Sequence, residues 1–249
     1  MNTSTVSYEV QGKEMRSFLA YKESDRPQPV IIIAHAWRGL DDFSRNKAME
    51  LAEMGYVGFA ADVYGEGVNA QNDEESMDLM IPLFEDRSLL QARIGAGVDY
   101  VKGLSQADSS KMGAIGFCFG GLTALELLRS GADIRCIVSF HALLSDALGE
   151  VKAKRPPKHY RKDVSALFLH GHDDPMVSET DIHNLQYELD ENQVDWQFHT
   201  YGHTMHAFTN PLAQDPDKGI SYQPLSAKRS WQSMVNFLDE QFNPEEEVH

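Results

Sequence analysis

Short apolar, β-rich runs alternate with longer stretches of helical periodicity along most of this chain, and that alternation constrains the fold most. Val-Ile-Ile-Ile-Ala at 30–34 has no polar position, so a strand there is apolar on both faces. Similar runs occur at 57–61, 111–117, 134–140, 166–170 and 196–201. Residues 44–54, 74–84, 87–103, 120–130, 178–192 and 226–241 carry helical patterns between and after them. Gly55 stops the first of these, and Ser178 is placed as the N-cap of a later one, with Asp181 in its first turn. Residues 5–10 and 15–20 flank Gln11-Gly12-Lys13 and predict an opening hairpin. Buried strands joined through helices predict an α/β fold, its mostly parallel sheet covered on both faces. No internal repeat or low-complexity linker divides the 249 residues, so one domain is expected over 1–249, a length that single-sheet α/β enzymes reach.

Charge narrows the partners. With 38 acidic against 22 basic residues the formal charge is −16, which argues against nucleic acid or an anionic membrane. Basic residues cluster at 152–162, but Pro156 and Pro157 interrupt them, and a solvated loop is expected there. No apolar run reaches bilayer length, and the first ten residues lack the cationic and apolar regions of a signal peptide. The two cysteines, Cys118 and Cys136, lie in or beside apolar runs, which fits a reducing compartment and a cytoplasmic location.

In parallel sheets ligands bind at the carboxyl ends of the strands, so the residues just past each run are the candidates. Gly116-x-Cys118-x-Gly120 follows the run at 111–117 and opens a helical pattern. This is the nucleophile-elbow arrangement with Cys in place of Ser. A side chain thrust up at a strand-to-helix turn needs strained backbone angles and small neighbours two residues away, and the helix N-terminus favours a thiolate. Cys136 lies inside a strand run with no turn beside it and reads as a buried small hydrophobe.

A nucleophile on such a turn needs an acid and then a base, in that chain order. Past the run at 166–170 comes Gly171-His172-Asp173-Asp174-Pro175, where Asp174 is preferred to Asp173 as the orienting carboxylate. Past 196–201 comes Gly202-His203-Thr204-Met205-His206-Ala207-Phe208. His206 is preferred as the base, with Phe208 packing to fix the loop, and His203 is left a supporting or structural place. The histidine spacings match no zinc signature, so no metal is expected. No Lys-Ser/Thr pair follows Gly121, so the glycines are not a phosphate loop.

These residues resemble the dienelactone hydrolase family. The likeness rests on Gly-Phe-Cys-Phe-Gly-Gly at 116–121, Gly-x-x-Asp-x-x-Val at 171–177 and His-Ala-Phe at 206–208, and runs from about Val30 to Phe242. It implies an α/β-hydrolase fold without a large cap domain, acting on lactones or other carboxylic esters. It implies Cys118, Asp174 and His206 as the triad, and the backbone N–H groups of Trp37 and Phe119 as the oxyanion hole. Two positions depart from the family pattern. Ala36, in His35-Ala36-Trp37-Arg38-Gly39, stands where the family usually has a Glu that holds the resting thiol. Asn210 stands where lactone-specific members place an Arg that binds substrate carboxylate. Without that Glu, Cys118 is expected to pair directly with His206 and to accept a broader or different set of esters. Ala36 and Phe208 are expected to border the substrate, and Arg38, Arg87 or Arg93 to supply a cation.

The expected chemistry is acyl transfer. His206 takes the thiol proton, Cys118 attacks the carbonyl, the oxyanion is stabilised by N–H donors, and water hydrolyses the thioester. Asp174 fixes the His206 tautomer, and no cofactor is called for. The competing expectation is a binding or redox-sensing module in which Cys118 works through its thiolate. Such a sensor needs neither Asp174 nor His206.

Overall fold

The chain opens with β1 (Asn2–Val10) and β2 (Lys13–Tyr21), paired antiparallel with Val10 opposite Lys13. The hairpin is longer than the apolar pattern suggests. Its outer residues Asn2 to Ser4 are polar and are held by pairing with Leu19 to Tyr21 rather than by burial. Six further strands follow: β3 (Gln28–Ala34), β4 (Val57–Ala61), β5 (Ala107–Phe117), β6 (Cys136–Phe140), β7 (Ser165–Gly171) and β8 (Asp195–Tyr201). In this computed structural model, which describes residues 1–243, they form one eight-stranded sheet in the order β1-β2-β4-β3-β5-β6-β7-β8. Pairing is antiparallel from β1 through β2 to β4 and parallel from β4 to β8.

Both faces are covered, and β3 shows how. Val30, Ile32 and Ala34 join one apolar layer while Ile31 and Ile33 join the other. The first layer is roofed by α2 (Asp73–Glu85), α3 (Arg87–Lys102), α4 (Phe119–Arg129) and α5 (Glu179–Glu191). The second lies under α1 (Asp42–Glu53) and α6 (Pro224–Phe242). The N-terminus of α5 is a capping box between Ser178 and Asp181.

This is the α/β-hydrolase architecture without a large cap domain. Between β6 and β7 lies only a small hairpin pairing Ala147–Leu148 with Val151–Lys152. A second pairs Gln214–Asp215 with Ile220–Ser221 between β8 and α6. The basic segment at 152–162 is more anchored than a solvated loop. Lys154 pairs with Glu85 at 2.8 Å, Lys158 with Glu188 at 2.8 Å, and Arg161 with Asp133. Among the described residues no helix is long and apolar enough to cross a membrane.

Candidate active site

Cys118 stands between the end of β5 and the start of α4, with φ 56° and ψ −117°. Such a backbone conformation in a non-glycine residue costs about 1–3 kcal/mol and persists only where the surroundings enforce it. They do so here. The Cys118 N–H donates to Phe140 O at 3.0 Å, and the turn brings flanking backbone into tight contact. A Cβ on Gly116 would lie 1.9 Å from Gly120 O, and one on Gly120 would lie 2.0 Å from Ala34 O. Glycine at both positions is therefore a steric requirement of the turn. The thiol is half-buried, whereas Cys136 is fully buried, and burial pushes the Cys136 thiol up to about 12.

Past β7, Asp174 is buried and turned inward, while Asp173 beside it is exposed. Met176 N–H donates to Asp174 Oδ1 at 2.9 Å, and His206 Nδ1 donates to Asp174 Oδ2 at 2.8 Å. The backbone of His206 is bracketed as well: its N–H donates to Gly219 O at 2.9 Å, and Ser221 N–H donates to its carbonyl at 3.1 Å. His203 is exposed at the loop tip.

Among the described residues, buried His206 Nε2 has no hydrogen-bond partner within ordinary bonding distance. The Cys118 thiol is its neighbour on that side, and both the charge of that group and hydrogen bonding with it favour the imidazolium. Burial disfavours the imidazolium, but the Cys118 thiolate and the Asp174 carboxylate outweigh it and lift the His206 pKa to about 10.

The candidate oxyanion donors flank the same turn. Phe119 is the first residue of α4, and Trp37 lies in the loop after β3. Among the described residues, neither N–H is used in a backbone hydrogen bond outside the regular elements. Tyr64, past β4, ties the two segments together. Its hydroxyl donates to Trp37 O at 2.8 Å, and its ring stacks on that of Phe119 with centroids 6.0 Å apart.

The other expected residues divide. Phe208 is fully buried and packs edge-on against the His141 ring at 5.2 Å. Ala36 is half-buried beside Trp37, its carbonyl bonded by His35 Nδ1 at 2.8 Å. Arg38 is exposed and paired with Asp73 at 3.0 Å. Arg93 donates to Val63 O at 2.7 Å and so serves the backbone. Arg87 is wholly buried, 3.9 Å from Glu126 on α4 and 4.2 Å above the Phe84 ring, and among the described residues no guanidinium nitrogen of it makes a hydrogen bond. Asn210 Oδ1 accepts from Leu212 N–H at 2.9 Å, which makes it a turn residue. Among the described residues no three His, Cys, Asp or Glu side chains are grouped to hold a metal ion.

Tyr64 and His141 were not singled out from sequence, although the rule of searching past each strand applies to both. Neither carries a motif of its own, and both matter through partners distant in sequence.

The dienelactone hydrolase family model matches residues 15–242. Among solved structures, m3DLH is 34% identical with a TM-score of 0.87, covering 97% of this chain and 99% of that one. A dienelactone hydrolase-like promiscuous phosphotriesterase from metagenomic libraries is 29% identical, also with a TM-score of 0.87 and the same coverage. Protein usf of Aquifex pyrophilus is 28% identical over 94% of this chain and 97% of its own length. A strained cysteine elbow within an α/β-hydrolase sheet and a family match over nearly the whole chain lead to one conclusion: this chain belongs to the dienelactone hydrolase family of ester- and lactone-cleaving hydrolases.

Proposed function

We propose that the chain hydrolyses carboxylic esters or lactones through a covalent acyl-cysteine intermediate on Cys118. One observation carries this: His206 is bonded through Nδ1 to a buried carboxylate at 2.8 Å, while its other nitrogen has no further partner among the described residues and is left to the neighbouring thiol of a strained cysteine. That arrangement fits a base whose working nitrogen is kept for a passing proton. In this reading His206 accepts the thiol proton and Sγ attacks the carbonyl carbon. The oxyanion is met by the N–H groups of Trp37 and Phe119. The imidazolium then protonates the leaving alkoxide, and the neutral ring activates the water that splits the thioester, freeing the acid and the thiol.

Substrate preference departs from the family's lactone-specific members. Ala36 offers no carboxylate and Asn210 is engaged within its own turn, so neither provides the charged contact found in those enzymes. The reading favours small esters or lactones without a required carboxylate, in the cytoplasm and without a cofactor.

Wild type and Cys118→Ala incubated with p-nitrophenyl esters, lactones and a phosphotriester, with product release and intact mass followed, test this. The phosphotriester is included because a relative 29% identical is described as a promiscuous phosphotriesterase. Turnover with an acyl adduct in wild type alone supports the mechanism, and equal turnover in both proteins removes Cys118 as nucleophile. Reversible oxidation of Cys118 without turnover on any substrate would favour the redox-sensing alternative.

A further inference from the structure

His141 follows β6 directly and is fully buried in the left-handed region, with φ 36°. Its N–H donates to Leu169 O at 2.8 Å, fixing its backbone to β7. The ring meets three others: His206 edge-on at 5.2 Å, Phe208 edge-on at 5.2 Å, and Phe117 tilted at 6.2 Å. Nε2 lies 2.8 Å from Thr209 Oγ1, and Nδ1 is buried with no partner among the described residues. A phenylalanine would fill this space without stranding a polar atom, so packing alone gives no reason for histidine. What histidine adds is the bond to Thr209.

Thr209 lies three residues past His206, beyond Ala207, itself at φ 56°, in a turn closed by Asn210 N–H donating to Ala207 O. The bond therefore ties the loop carrying His206 to the end of β6, from which Phe140 O also receives the Cys118 N–H.

We propose that His141 is a positioning residue for His206: pinned by Thr209, its ring fixes the plane in which His206 presents Nε2 to Cys118. The inference rests on the reading of His206 as the base. The task calls for a neutral ring, and the surroundings keep it so. Burial holds the His141 pKa well below the usual imidazole value, and the facing His206 and His170 reinforce this. Around His206 itself stand Asp174, Cys118, His141 and His170.

Thr209→Val and Thr209→Ser test the bond, and His141→Phe tests the polar edge while keeping an aromatic ring. Thr209→Val and His141→Phe should each lower kcat about tenfold with KM within about twofold, the loss of one hydrogen bond felt in the transition state. Thr209→Ser should restore kcat. In both impaired variants the His206 imidazole, followed by nitrogen NMR, should change its titration midpoint, while thermal unfolding stays cooperative. A wild-type titration and kcat in Thr209→Val would overturn the proposal, and this pair decides the matter should His141→Phe fail to fold. If wild type turned over no ester yet the His206 titration moved in Thr209→Val, the positioning role would stand and the proposed activity would fall.

Discussion

Asp174 Oδ2 lies 2.8 Å from His206 Nδ1, and the carboxylate's other oxygen is committed to Met176 N–H at 2.9 Å. With both oxygens accepting, the carboxylate forces the proton of neutral His206 onto Nδ1 and leaves Nε2 as the acceptor that the proposed mechanism uses. In Asp174→Asn the amide would keep the bond to Met176 and present N–H to the imidazole, reversing the tautomer. kcat for p-nitrophenyl ester hydrolysis should fall ~10³–10⁴-fold with the fold intact. Asp173→Asn, at the exposed neighbour, should leave kcat within about twofold. Equal losses in the two variants would show that Asp174 does not orient the base.

Three buried histidines make the protein sensitive to acid. Burial lowers the pKa values of His35, His141 and His170 below the ordinary 6.5. Unfolded, each takes up its proton as pH falls through about 6.5; folded, only at lower pH. The unfolded chain thus binds more protons in that window, so their contribution to stability is full above pH 6.5 and is lost as pH drops below it. The slope is at most about 1.4 kcal/mol per pH unit for each group. Urea unfolding at pH 7.5, 6 and 5 should show this decline, and His141→Phe should flatten it by one group's share. The same slope in both proteins would mean that His141 titrates normally when folded.

Much of the sheet and the core of the site is legible in the sequence, for physical reasons that also mark the limit. Residues 30–34 and 57–61 are apolar throughout, and only a strand buried on both faces requires that. Ala107 to Ser110 at the start of β5 are polar, and pairing that depends on backbone atoms alone leaves no trace in side chains. Cys118 is legible because its turn imposes glycine on both sides, and Asp174 and His206 because they follow strand ends. The arginines are different. Arg38, Arg87 and Arg93 look alike in sequence, yet one is exposed, one is fully buried and one serves carbonyl oxygens. Their surroundings are set by Asp73, Glu126 and Val63, and no local pattern announces such long-range partners.

Glu126 organises the buried charge beneath α4. Its carboxylate lies 2.9 Å from Arg129, 3.9 Å from Arg87 and 4.0 Å from Arg155, and accepts from Gln91 at 2.9 Å. Glu126→Gln would leave those guanidinium groups facing one another across a neutral amide. Removing one partner of a buried ion pair typically costs about 3–5 kcal/mol, and denaturant unfolding should show a loss of that order. Arg87→Met should be neutral or stabilising, since it removes a guanidinium that makes no hydrogen bond among the described residues and whose burial pushes its pKa down to about 9. A large loss in Arg87→Met would point to a contact of Arg87 beyond Glu126 and Phe84.

Tyr64 links the two segments that carry the proposed oxyanion donors, through its hydroxyl to Trp37 O at 2.8 Å and its ring against Phe119. The same ring also meets His35 in an edge-on arrangement, with centroids 4.6 Å apart. Tyr64→Phe keeps both ring contacts and removes only the hydroxyl, so the Trp37 loop loses its tether while the core stays filled. One neutral hydrogen bond is worth about 1 kcal/mol, which corresponds to a roughly fivefold fall in kcat if the loop's placement matters only when the oxyanion forms. KM should then hardly change, because ground-state binding does not draw on those donors. Comparing kcat and KM for one ester in Tyr64→Phe and wild type distinguishes the cases. A rise in KM at constant kcat would mean that the tether shapes the substrate pocket, and no change in either would mean that the Trp37 loop is held without it.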